Sequence, residues 1–220
     1  MTSGNYDSGS LGELAQLGTY SLGCGNPIAE AELRPGEIVL DLGSGAGLDT
    51  FLAAERVGPR GLAIGLDATP EMATLAERNR ETHGMENARF ILGRMEAIPL
   101  LSASVDAIVS NCVLNLSLDK RALAAEAFRV LKPGGRLVAS DILAGGPLAD
   151  ELRRSAELWS ACFAGALTPE EWTALLSEAG FCDVLVEPSR AYTAGDLESV
   201  GLPNGAPPFL SAVLRARRPR

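Results

Sequence analysis

Val39-Leu-Asp-Leu-Gly-Ser-Gly-Ala-Gly47 runs an apolar stretch straight into a glycine-rich turn. Helical periodicity follows at about 48–57, so the turn lies between a strand and a helix. There, glycines let the backbone approach a ligand closely, and the helix N-terminus presents free N–H groups. The glycines fall at 43, 45 and 47, a G-x-G-x-G spacing rather than the G-x-G-x-x-G of a dinucleotide loop. Asp41 stands two positions before the first glycine. A carboxylate there repels a pyrophosphate and suits the ammonium of an amino-acid moiety.

Outward from this turn, short apolar runs alternate with helical patterns, the signature of βαβ units and a parallel sheet. The runs predict strands at 38–42, 62–66, 88–92, 105–110, 136–141, 184–187 and 210–215. Helices are predicted at about 48–57, 70–83, 119–131, 148–160 and 169–179, with a short one at Leu11–Leu17. Lys132-Pro-Gly-Gly135 ends the third of the main helices and turns the chain into the next strand. Thr168, Pro169 and Glu171 form a helix start, with Thr168 as N-cap and the acid three residues later. His83 closes a helix before Gly84 and reads as a C-terminal cap. Trp159 and Trp172 fall on helices and read as packing, with Trp159 near enough to Cys162 to shield it.

Composition narrows the function classes. The formal net charge is −9, from 19 basic against 28 acidic residues, which disfavours nucleic acid as a partner. No stretch approaches a membrane span, and the first ten residues lack the basic start and apolar core of a signal peptide. Four cysteines without a Cys-x-x-Cys pair fit reduced thiols in the cytoplasm better than a disulfide framework.

The second predicted strand ends in Gly65-Leu-Asp67, and an acid at a strand's carboxyl end can accept ribose hydroxyls. With Asp41, the glycine loop, Gly93-Arg-Met-Glu-Ala-Ile-Pro99 and Leu131-Lys-Pro-Gly-Gly-Arg-Leu137, the chain resembles the class I S-adenosylmethionine-dependent methyltransferases. The resemblance implies a Rossmann-like α/β fold, with a mostly parallel seven-stranded sheet and helices on both faces. It implies S-adenosylmethionine as cofactor. Asp41, Gly43, Ser44, Gly45 and Gly47 would hold its methionine part, with Asn111 at the same end. Asp67 would take the ribose, Met95 and Glu96 the adenine, and Met72 would touch ribose or adenine. One domain over 1–220 is expected, with a lid segment at 1–30, a cofactor-binding core at 31–142 and an acceptor-binding part at 143–220.

Three cysteines sit in short signatures of their own: Gly23-Cys-Gly-Asn-Pro27, Ser110-Asn-Cys-Val-Leu-Asn115 with Asp119-Lys120 after it, and Cys162-Phe-Ala-Gly-Ala-Leu167. Together they resemble the arsenite methyltransferases, from about Tyr20 to the final strand. The resemblance implies that Cys24, Cys112 and Cys162 hold trivalent arsenic as substrate, with thiolate as the expected ligand form so that acid would weaken binding, and that a thiol reductant of glutathione or thioredoxin type assists. Relatives of this kind carry a further cysteine or pair in a longer N-terminal region; none of the 23 residues before Cys24 is a cysteine. The chemistry agrees from below, since thiols are soft ligands. Arsenic on three sulfurs is pyramidal with a lone pair. Cys112 alone, on an apolar strand end, also reads as core filler, as free cysteine is commonly buried, whereas Cys24 between glycines on a polar loop does not. Cys182, at the start of a predicted strand, is read as filler. Two alternatives stay open: a small-molecule C-, N- or O-methyltransferase on the same scaffold, and a metalloid binder without catalysis.

Overall fold

The structure, a computed structural model, describes residues 24–202 and 206–220. The predicted helix at Leu11–Leu17 and most of the 1–30 segment lie outside them. A short helix α1 (Pro27–Glu30) leads into β1 (Ile38–Leu42), α2 (Leu48–Val57), β2 (Leu62–Asp67), α3 (Pro70–Thr82) and β3 (Ala88–Leu92). After β4 (Val105–Asn111) come a 3₁₀ turn at Leu114–Leu116, α4 (Lys120–Val130) and β5 (Leu131–Ala144). The remainder is α5 (Asp150–Arg153), α6 (Ala156–Ser160), α7 (Pro169–Glu178), β6 (Cys182–Ala191), α8 (Ala194–Ser199) and β7 (Phe209–Arg217).

The strands form a seven-stranded sheet in the order β3-β2-β1-β4-β5-β7-β6. Pairing is parallel through β5, and β7 runs antiparallel to both β5 and β6. The expected mostly parallel sheet is therefore present. Side-chain alternation explains why both faces are covered. Val39, Ala63, Ala107 and Val109 point to one side, where Phe51 and Leu52 of α2 pack on them. Leu40, Leu42, Ile64, Ile108 and Leu137 point to the other, against Leu123 and Ala127 of α4 and Trp172 and Leu176 of α7. Strand order reverses between β1 and β4, which are direct neighbours. Their following loops diverge there and open a crevice at the carboxyl edge.

Several elements differ from the sequence reading. The single helix expected at 148–160 is two short ones, because Ser155 caps α6, accepting from the Leu158 N–H at 3.3 Å. Serine competes for backbone hydrogen bonds and so favours such a start. β5 begins at Leu131, and Lys132-Pro-Gly-Gly135 lies within it as a register shift: Val105 pairs Leu131, and Ala107 pairs Arg136. Proline has no N–H for the ladder, so it sits where pairing lapses. Short α1, α8 and the 3₁₀ turn were not anticipated. The Thr168–Glu171 capping box is formed in full, and the His83 N–H closes α3 on the Asn79 carbonyl. No helix among the described residues is long and apolar enough to cross a membrane.

Trp172 is fully buried, yet its indole N–H has no partner among the described residues. Trp172→Ala should cost about 3–5 kcal/mol by urea denaturation. Trp172→Phe should cost less than half of that, because it keeps most of the apolar contact and removes an unmet donor.

Candidate active site

A third apolar cluster caps the carboxyl edge beyond β5. Ile142, Leu158, Cys162, Phe163 and Phe209 form it, and Cys24 and Cys112 pack against it. Three segments distant in sequence thus meet in one apolar cluster. Cys112 directly follows β4, and its N–H bonds the Ser140 carbonyl of β5 at 2.7 Å. Cys162 follows α6, and its Sγ lies 2.9 Å from the Cys112 carbonyl oxygen. The Cys24 and Cys112 sulfurs and a carboxylate oxygen of Asp141 all lie within 4.8 Å of one another. Cys182 lies apart, its Sγ directed at the Arg217 carbonyl at 3.4 Å.

The backbone at two of these thiols is unusual. Cys112 has φ 58° and Cys162 φ 67°, the left-handed region that costs a non-glycine residue roughly 1–2 kcal/mol. Strain of this kind persists where the surroundings over-determine it, and it collects at functional sites. Here each left-handed residue turns the chain sharply off a strand or helix end.

Cys24 is placed by Asn111, the last residue of β4. The Asn111 side-chain oxygen accepts from the Cys24 and Gly25 N–H groups at 3.0 and 3.3 Å. Its amide nitrogen donates to the Gly25 carbonyl at 3.0 Å and to Asp49 at 3.1 Å. Gly25 is required there, since a Cβ would fall 2.4 Å from Ser140 Oγ. Behind the thiols, the Asn115 amide donates to Asp141 at 2.9 Å, the Ile142 carbonyl at 2.7 Å and the Cys162 carbonyl at 3.1 Å. Lys120 donates to the Asn115 and Ser117 carbonyls at 3.2 and 3.0 Å and lies over the Trp159 ring.

The thiol pKa values all move up. For Cys162 the contact with the Cys112 thiol and then burial raise it. Cys162 lowers Cys112, but Cys112's own contact with Cys24 and its burial outweigh that. Cys24 is lowered by Cys112, yet burial and the nearby Asp141 carboxylate carry it upward. The thiols are thus neutral near pH 7. Asp141 is pushed up to about 7, first by burial, against hydrogen bonds from the backbone N–H groups of Ile142, Asn115 and Leu114.

The glycine loop lies beside this cluster. Gly43 and Gly47 pack against Val113 and against Phe51 and Phe90, whereas a Cβ on Gly45, at φ 51°, would meet nothing within 4 Å. The space over Gly45 is open. The Gly45 N–H is held by Asp67 Oδ2 at 2.9 Å, and Asp67 Oδ1 accepts from Thr69 at 2.9 Å. Ser44 is nearly buried. Asp41 is 2% exposed and accepts from Thr50 Oγ1 at 2.7 Å. Burial first, then the Asp49 carboxylate, hold its pKa well above the usual range. A cation above this loop would relieve the crowding of Asp41, Asp49 and Asp67, so the residues fit a positively charged ligand.

The remaining expected residues are less engaged with the crevice. Met95 packs against the core, and Glu96 accepts from Ser117 at 2.7 Å and pairs with Arg94. Met72 is 37% exposed on α3. Asp49, Asn115, Ser140 and Asp141 were missed by sequence reasoning. For Asp141 a signal existed: the strand predicted at 136–141 ends on it, and an acid at a strand's carboxyl end stands where ligands of such sheets bind.

Two outcomes test this geometry. Because the folded Asp41 pKa is raised, the folded state holds a proton that the unfolded chain has lost. Wild-type stability therefore falls as pH rises from the usual carboxylate range through that raised value. Asp41→Asn should raise the melting temperature of the free protein at about pH 8, and the gain should shrink toward about pH 4 in calorimetry. Gly25→Ala should cost about 1–3 kcal/mol of stability by overpacking. It should also slow modification of paired thiols by a bifunctional arsenical at least tenfold, and Ser140→Gly should restore part of both losses.

Comparison with known proteins agrees with the geometry. A methyltransferase-domain family model matches residues 33–180. Arsenite methyltransferase of Halobacterium salinarum is 43% identical over 188 residues, 86% of this chain and 48% of that protein. The Homo sapiens arsenite methyltransferase is 38% identical over 165 residues, 71% of this chain and 43% of that protein. The chain thus spans about half the length of the curated relatives it matches. The crystal structure of CrArsM, an arsenic(III) S-adenosylmethionine methyltransferase from Chlamydomonas reinhardtii, superposes with a TM-score of 0.77 at 32% identity, covering 99% of this chain and 72% of that one. The chain therefore belongs to the methyltransferase-domain family and, within it, to the arsenite methyltransferases.

Proposed function

We propose that the protein methylates trivalent arsenic with S-adenosylmethionine as donor: arsenite held by the thiols of Cys24, Cys112 and Cys162, or methylarsenite, in which carbon replaces one sulfur, held by two of them. The observation that supports this reading is the approach of the Cys24 and Cys112 sulfurs within 4.8 Å, with Cys162 packed in the same apolar cluster.

S-adenosylmethionine supplies an electrophilic methyl group on a positively charged sulfur. In this reading Gly43, Ser44, Gly45 and Gly47 form the cradle for its methionine part. Asp41 with Asp49 offers negative charge to the ammonium. Asp67, already oriented by the Gly45 and Thr69 N–H groups, keeps lone pairs for ribose hydroxyls. Met95, Glu96 and Met72 border the adenine side. Asn111 serves the methionine end by holding Asp49 and the Cys24 segment together.

Capture needs no ionised thiol. Arsenous acid carries three hydroxyls, and condensation with three S–H groups forms three As–S bonds and releases three waters. No net proton is lost, so raised thiol pKa values do not oppose binding. Arsenic on three sulfurs keeps a lone pair and requires no general base. The residues' task is alignment of two partners, which is worth several kcal/mol of barrier. Methyl transfer leaves arsenic bonded to one carbon and three sulfurs and formally pentavalent. Departure of two of those sulfurs as a disulfide returns it to the trivalent state, and a thiol reductant of glutathione or thioredoxin type would then reduce that disulfide to two thiols. The acidic chain, with a net charge of −9, supports a small-molecule or metalloid substrate over nucleic acid, and the need for reduced thiols supports the cytoplasm as the setting.

Mass spectrometry of products after incubation with arsenite, cofactor and thiol should reveal methylated arsenic. Cys112→Ser and Cys162→Ser should each lower the rate at least 100-fold. Arsenite affinity should stay level between about pH 6 and 8. Arsenite binding without methylated product would leave a metalloid trap, and methylation of an organic acceptor with unchanged activity in both variants would leave an ordinary methyltransferase.

A further inference from the structure

A sulfur-only cup for arsenic leaves one group unexplained. Asp141 places a carboxylate oxygen within 4.8 Å of both the Cys24 and Cys112 sulfurs, in a wall otherwise built from Ile142, Leu158 and Phe163. Trivalent arsenic prefers sulfur and gains little from a carboxylate. A borderline divalent ion accepts both donors.

We propose that Cys24, Cys112 and Asp141, with Cys162 completing a four-coordinate set, form a site for a thiophilic divalent cation, zinc or cadmium, which occupies the cup in competition with the metalloid. The distances suit this set. A tetrahedral ion with zinc–sulfur bonds of about 2.3 Å and zinc–oxygen bonds of about 2.0–2.2 Å sets neighbouring ligand atoms about 3.5–3.8 Å apart. Three donors already within 4.8 Å need to close by roughly 1 Å. Cys162 Sγ, now hydrogen-bonded to the Cys112 carbonyl at 2.9 Å, lies outside this trio and would leave that carbonyl to become the fourth ligand.

The surroundings are those of a supported metal site. Carboxylate ligands are commonly steered by hydrogen bonds from a second layer. Here Asp141 Oδ1 accepts from the Asn115 amide at 2.9 Å and the Ile142 N–H at 2.7 Å, while Oδ2 takes a longer bond from the Asn115 N–H at 3.3 Å. The same Asn115 amide holds the Cys162 carbonyl at 3.1 Å, so one side chain orients the carboxylate and the turn bearing the fourth ligand. Cys24 is fixed independently through Asn111. The Lys120 ammonium interacts with both Asp141 and Cys162 and offsets the negative charge that such a ligand set concentrates. Binding exchanges the thiol protons of the cysteine ligands for the ion and changes no oxidation state.

The test uses the reduced, metal-free full chain with zinc alone as probe, so it is independent of methyl transfer. Zinc titrated against a chromophoric chelator should bind once per chain and be displaced stoichiometrically by arsenite. Asp141→Asn should weaken zinc at least tenfold, by analogy with outer-layer losses of 10–100-fold, and leave arsenite affinity within about threefold. Zinc affinity unchanged in Asp141→Asn, or no stoichiometric zinc binding by the wild type, would overturn the proposal. Should the variant not fold, zinc-edge X-ray absorption of the wild type decides. Two or three sulfurs with at least one oxygen support the site, and fewer than two sulfurs refute it.

Discussion

Asn111 is the joint on which the crevice depends. It ends β4 at the point where strand order reverses, and its single amide is shared between the Cys24–Gly25 backbone and Asp49 at the start of α2. An amide offers an acceptor and two donors in one rigid plane, so it can fasten two segments in fixed relation. One of those segments carries a thiol; the other borders the glycine loop. Neither is adjacent to the other in sequence.

The crevice concentrates groups that folding alone would avoid. Asp41 and Asp141 are buried carboxyls with raised pKa values, the three thiols are shifted the same way, and Cys112 and Cys162 stand in left-handed backbone. The buried carboxyls and the left-handed backbone oppose stability, and a cationic ligand would relieve the carboxyls. The two apolar layers on either side of the sheet supply the stability that makes this tolerable.

Much of the architecture was legible because its signals are local. Glycine spacing after an apolar run, a capping box at Thr168–Glu171 and period-two runs are short-range patterns with short-range causes. The helix α2 over Leu48–Val57 falls where it was expected. The break at Ser155 was not foreseen, because helical periodicity on either side is compatible with one helix or two. The extension of β5 back to Leu131 likewise escaped notice, since Pro133 and Gly134 read as a turn until a parallel partner draws them into a bulge.

The site divides in the same way. Motif order and family resemblance named Cys24, Cys112, Cys162, Asp41 and Asp67 and set Cys182 aside; the structure packs the first three cysteines around one apolar cluster and holds Cys182 apart from it. Nothing along the chain could reveal that Asn111 spends its amide on Cys24 and Asp49, or that Asp141 faces two sulfurs. Those facts arise from which strands lie side by side and in what register. Long-range contacts are set by packing the whole chain into two layers around one sheet, and a single residue's identity does not encode its neighbours across that sheet.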